Sequence, residues 1–102
     1  MPASYNNTAM KLGTLRIVLQ IPQSRSLKTK RQVVKGLKDR LKNRFNISIA
    51  EVDDNDLWQR ATLGVAIVAN EQVFIDQVLE SVENYIASNP EVIIVDCEKA
   101  FY

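Results

Sequence analysis

The chain has 102 residues, 46% hydrophobic and 25% charged, with a formal net charge of +1, which is one ordinary globular domain's worth of protein. It has no histidine, and Cys97 is its single cysteine. An internal disulfide, a Cys/His zinc site and histidine-based acid–base catalysis are therefore excluded, and most hydrolase and metalloenzyme readings with them. No apolar run approaches the roughly 18 residues of a membrane span. The polar start MPASYNNTAM is not a signal peptide, so the expected location is the cytoplasm.

Residues 1–10 are polar and aperiodic, and read as a flexible leader to one domain over 11–102. From 12 to 21 the pattern alternates. Leu15, Ile17, Leu19 and Ile21 face one way, and Thr14, Arg16, Val18 and Gln20 the other, a strand ended by Pro22. Ser26 offers an N-cap hydroxyl to a helix over 27–44, where Leu27, Val34, Leu37, Leu41 and Phe45 follow with helical spacing. A second strand over 47–52 sets Ile47 and Ile49 against Ser48, Ala50 and Val52, before an acidic loop at Asp53-Asp54-Asn55-Asp56. A third over 60–69 sets Leu63, Val65 and Ile67 against Thr62, Gly64, Ala66 and Val68. Asn70 is placed to cap a helix over 71–88 with the apolar set Phe74, Ile75, Val78, Leu79, Val82 and Ile86. Asn89-Pro90 stops it, and the last strand runs over 92–97.

The order strand–helix–strand–strand–helix–strand predicts an α+β, ferredoxin-like βαββαβ sandwich. Its four-stranded antiparallel sheet carries both helices on one face. Leu15, Ile17, Leu19, Ile47, Ile49, Leu63, Val65 and Ile67 would meet the helices. The opposite face would show Val18, Ala50, Val52, Ala66 and Val68, which is too apolar for water. A homodimer through that open sheet face is expected, with partial cover by the leader as the alternative.

Charge is distributed unevenly. Residues 25–44 hold nine cations against Asp39, a net of +8, whereas residues 45–102 hold eleven acids against Arg60 and Lys99, a net of −9. On the first helix Lys28, Arg31, Lys35, Lys38 and Lys42 fall at i, i+3, i+7, i+10 and i+14, one flank about 21 Å long at 1.5 Å per residue. Like charges at this spacing each destabilise a helix by a few tenths of a kcal/mol. Lys28, Lys30 and Arg31 also stand near the helix start, where the macrodipole disfavours cations by roughly 0.3–1 kcal/mol each. Only Asp39 is placed to relieve them. An external polyanion explains this arrangement, and a solvated basic face is the plain alternative. Arg25, Lys28, Lys30, Arg31, Lys35, Lys38 and Lys42 are the candidate nucleic-acid contacts. Gly36, facing outward, would let a backbone approach. The hydroxyls and backbone N–H groups of Ser24-Arg25-Ser26 would add one phosphate contact.

The expected topology is shared with RNA-recognition domains that stack bases on aromatic residues of the central strands. The first and third strands here contain no aromatic residue, so RNA contact is expected through the helix and through phosphates. Asp53, Asp54 and Asp56 lack the glycine and the downstream glutamate of a calcium-binding EF-hand loop, and a solvated acidic loop is preferred to a metal site. Trp58 either anchors its loop in the core or serves as a hot spot for a partner.

Several motifs together carry a family resemblance. Ser26-Leu27-Lys28-x-Lys30-Arg31, the run from Leu37 to Asn46, Ala50-Glu51-Val52 and Asp56-Leu57-Trp58-Gln59-Arg60-Ala61 resemble the YlxP-like family of small bacterial proteins from about Lys11 to Asp96. The resemblance implies a ferredoxin-like fold, with no established function and no catalytic residues to carry over. In many bacteria genes of this family lie among those for translation initiation and ribosome maturation, which implies RNA or ribosomal partners. The residues before Met10 and the acids at 53–56 depart from the family pattern.

The function expected is a non-enzymatic RNA- or ribosome-associated binding protein that uses its basic helix, with no catalytic residues, no metal and no cofactor. The alternative is a dimeric protein-interaction or small-ligand-binding regulatory domain, with Trp58 as a partner contact.

Overall fold

The computed structural model describes residues 9–102; the leader expected over 1–10 lies, except for its last two residues, outside the described residues. The elements are β1 (Lys11–Gln20), α1 (Leu27–Arg44), β2 (Ser48–Asp53), β3 (Arg60–Ala69), α2 (Gln72–Ala87) and β4 (Ile93–Phe101). They form one antiparallel sheet in the order β2-β3-β1-β4, the ferredoxin-like sandwich expected from the element order.

Alternation on the central strands builds the core. Leu15, Ile17 and Leu19 of β1, with Leu63 and Val65 of β3, are buried against Leu37 and Leu41 of α1 and Ile75, Leu79, Val82 and Ile86 of α2. Each such aliphatic side chain contributes about 1.5–3 kcal/mol on burial. Gly13 seats α2 on the sheet. A Cβ there would run into the Ile75 side chain and lie 3.1 Å from Leu79 Cδ1, so only glycine allows that approach.

Four details differ from the sequence expectations. β4 runs on to Phe101 because its last residues, Glu98 to Phe101, pair with Arg16 to Gly13, a non-local pairing with no local sequence signal. Glu71, not Asn70, is the N-cap of α2, and its side chain makes no capping hydrogen bond. Phe74 is 51% exposed, because it falls beside the buried stripe of α2 rather than on it. Val18 is only 3% exposed; it sits on a central strand with Thr62 and Asp96 in register on either side. The apolar open face is therefore carried by Val52, Val68 and Ile93, with Val95 exposed at the irregularity in β1–β4 pairing.

Candidate nucleic-acid interface

Ser26 starts α1 as the sequence predicts: its Oγ accepts the Thr29 N–H at 3.0 Å. No acid occupies the first turn, so the cations there are left against the positive end of the helix. α1 packs on β2, and α2 packs on β1, β3 and β4. The Arg44 guanidinium lies 4.7 Å from the Tyr85 ring of α2, which marks the flank of α1 facing its neighbour. At 3.6 residues per turn, Lys28, Arg31, Lys35, Lys38 and Lys42 lie on the other flank, towards edge strand β2. The strip therefore points away from the acids of α2.

Lys28, Arg31, Lys35 and Lys42 are exposed, Lys38 is half-buried, and Arg25 is exposed just ahead of the helix. Lys35 donates to Asp39 at 2.8 Å. That hydrogen bond raises the lysine pKa and lowers the aspartate's. Among the described residues, no carboxylate lies within ion-pair distance of Arg25, Lys28, Arg31, Lys38 or Lys42. The strip is a row of solvated cations with a single internal counter-charge.

Lys30 has to be removed from the candidate contacts. It is fully buried, and its Nζ donates to Glu51 Oε2 at 2.6 Å and to the carbonyl oxygens of Asp54 (2.9 Å), Asn55 (3.2 Å) and Arg60 (3.3 Å). An ammonium taken out of water costs several kcal/mol unless it is paired and fully hydrogen-bonded. Here one carboxylate and three carbonyls satisfy it, so no phosphate can reach it. Spacing was the missed signal: Lys30 stands four residues before Val34 and seven before Leu37, in phase with the buried stripe.

The other end of that contact organises the β2–β3 loop. Asp54 adopts φ 64°, a left-handed conformation that aspartate tolerates better than most residues. Its Oδ2 accepts from Thr62 Oγ1 at 2.7 Å and from Arg60 Nε at 3.1 Å. The Thr62 hydrogen bond, with that of Arg60, holds the Asp54 carboxyl below the usual aspartate range. The Gln59 amide donates to the carbonyls of Ser24 (2.9 Å) and Pro22 (3.2 Å), and Ile21 N–H donates to Gln59 O at 2.9 Å. The loop is thus tied to α1, β3 and the β1–α1 connection.

Between these ties Leu57 and Trp58 project outward, 47% and 57% exposed. Trp58 is not a core anchor, because polar contacts hold the loop and leave the indole in solvent. Beside it opens a cleft of about 580 Å³ lined by Gln20, Arg25, Leu57, Trp58 and Arg60 among others. Arg25 belongs both to this cleft and to the approach to the cationic strip.

The serines ahead of α1 are committed within the fold. Ser24 is buried and its Oγ donates to Ser26 O at 3.0 Å, and Ser26 Oγ donates to Thr29 Oγ1 at 3.0 Å. Both hydroxyls are taken up within the fold, and the Ser24 N–H donates to Ile21 O, which leaves the Arg25 guanidinium and the N–H groups of Arg25 and Ser26 from that segment. At Gly36 only the end of the Arg40 side chain stands close, its Nη1 3.2 Å from where a Cβ would lie. Asp53 faces Arg16 at 3.7 Å, and among the described residues no three acids, histidines or cysteines gather as a metal site. Burial, then Glu83, pushes the Cys97 thiol up to about 11, which disfavours the nucleophilic thiolate. No described helix is long and apolar enough to cross a membrane.

The description "Protein of unknown function (DUF503)" fits residues 12–99 of the chain. The chain belongs to the DUF503 family. Over 67 residues it is 42% identical to the uncharacterized protein YlxP of Bacillus subtilis (strain 168), covering 66% of this chain and 73% of that protein. This agrees with the YlxP-like motifs. Among solved structures, the de novo designed protein Foldit4 superposes with a TM-score of 0.54 at 14% identity, covering 91% of this chain and 96% of the other. At that identity the likeness concerns the sandwich alone, so the functional reading rests on the residues of this chain.

Proposed function

We propose that the chain is a non-enzymatic RNA-associated protein, with ribosomal RNA included among its targets, and that it grips phosphates through the outer flank of α1. The observation that carries this reading is the row Lys28, Arg31, Lys38 and Lys42, in which no cation has a carboxylate partner among the described residues. A row of fixed, solvated cations matches a polyanion that brings its own charges in sequence, and RNA is the polyanion of the cytoplasm, where this reading places the protein. Binding is expected to tolerate sequence. With about four phosphates neutralised, log K should fall with log salt at a slope near −3 for a single strand. The variant Lys28→Glu/Arg31→Glu/Lys42→Glu should lose most binding in a fluorescence-anisotropy titration. Parent-like affinity in the folded variant would overturn the reading.

We infer a second copy of the chain as the occupant of the open sheet face. Val52 and Val68 are 55% and 62% exposed there, and Arg16 and Glu98, opposite charges at paired register positions, can meet reciprocally across a two-fold axis. Analytical ultracentrifugation should find a dimer at micromolar concentration, and Val68→Glu should return it to monomer.

A further inference from the structure

We propose that the cleft beside Trp58 seats one unpaired nucleobase of a single-stranded RNA whose backbone continues along α1. This rests on the phosphate-gripping reading above and adds to it a preference for single over double strands.

Three features of the site converge on a base. The first is the indole itself. Trp58 is the chain's single tryptophan, it is more than half exposed, and the fold does not use it as an anchor. An exposed aromatic plane on a fixed loop is the platform on which unpaired bases stack, whatever their identity.

The second is the lining. Arg25 and Arg60 flank Leu57 and Trp58, and no carboxylate is among the residues lining the cleft. Arg60 is already paired with Asp54, whereas Arg25 has no carboxylate partner among the described residues. A purely apolar protein side chain would gain nothing from that guanidinium, whereas a nucleotide brings a flat π-face for the indole and an anionic phosphate for Arg25. The volume, about 580 Å³, is that of a small-ligand site.

The third is rigidity and continuity. Lys30 and Gln59 hold the loop by five hydrogen bonds to carbonyls and one to Glu51, so the indole is presented already ordered and little entropy is lost on stacking. The cleft opens at the start of α1, where Arg25 precedes Lys28 by three residues. A strand stacked on Trp58 can therefore pass its phosphates directly to Arg25, Lys28 and Arg31.

Trp58 also reports on its own site, because all the tryptophan fluorescence comes from it. Three probes should be titrated at fixed salt: a single-stranded oligouridylate, a duplex RNA of equal charge and inorganic polyphosphate. The single strand should quench the fluorescence strongly, and polyphosphate, which has no bases, should bind with little quenching. Trp58→Ala should weaken the single strand about tenfold or more and leave polyphosphate unchanged, with Trp58→Phe in between. Thermal melts should show both variants folded, since the indole is outside the core. Equal RNA affinity for parent and Trp58→Ala, with polyphosphate still bound, would overturn the base seat and leave the phosphate grip standing. Failure of the parent to bind either polyanion would overturn both. Loss of a co-purifying protein from Trp58→Ala at unchanged RNA affinity would reassign the cleft to a protein partner and overturn the proposal.

Discussion

α1 and α2 lie on the same face of the sheet, with 18 and 16 residues, and they differ most in what they do with charge. α1 carries eight cations and one acid; α2 carries three acids and no cation. One acid of α2 is paired within the fold, where Lys99 of β4 donates to Asp76 at 2.6 Å, and the charges of Glu80 and Glu83 add to the pull on that lysine. Among the described residues, only Lys35 and Lys30 of α1 have acidic partners, and the two contacts are opposite in kind. Lys35 forms an exposed i,i+4 pair with Asp39, which solvent screens. Lys30 is driven into the interior and anchors a loop. Charge on a helix thus carries different meanings according to whether its counter-charge belongs to the protein.

The contrast is most easily broken at Lys30. Lys30→Met keeps much of the side-chain volume but leaves Glu51 and three carbonyls without their donor, so it should destabilise the fold by about 3–5 kcal/mol in urea denaturation. A loss below about 1 kcal/mol would mean that water replaces the ammonium and that Lys30 is no different from its outward neighbours. Charge reversal at Lys28, Arg31 and Lys42 should instead leave stability within about 1 kcal/mol of the parent, because the gain at the helix start offsets the loss at its end. Unfolding of that variant would show that the strip is neutralised by the protein itself, for instance across a dimer. The smallest effect is expected at Gly36. Gly36→Ala should stabilise α1 by up to about 1 kcal/mol, provided the mobile end of Arg40 yields to the new methyl group, and RNA affinity should not change.

The architecture was legible because it depends on periodicity. Alternation in β1 and β3 and the i, i+3/i+4 stripes of both helices identify nearly the whole core, and the element order leaves few ways to connect it. What escaped was non-local. The extension of β4 arises from backbone pairing with Gly13 to Arg16, and the burial of Val18 from having a strand on each side. At the site, the outward cations follow from helical phase. Lys30 follows from the same phase, but its chemistry resembled that of its sequence neighbours, and the carbonyls that receive it are 24 to 30 residues away. Trp58 was identifiable as unusual, yet its exposure depends on Gln59 and Asp54 holding the loop in its place.

The Lys30 anchor also constrains how the molecule breathes. Hydrogen bonds from one ammonium reach both ends of the β2–β3 loop, so the loop cannot open while the first turns of α1 stay in place, nor can those turns fray without releasing it. The loop amides and the start of α1 should behave as one cooperative unit in hydrogen exchange, with a common opening free energy. The indole and the nearest cations would then be presented together or not at all, so that any partner would meet the whole surface or none of it.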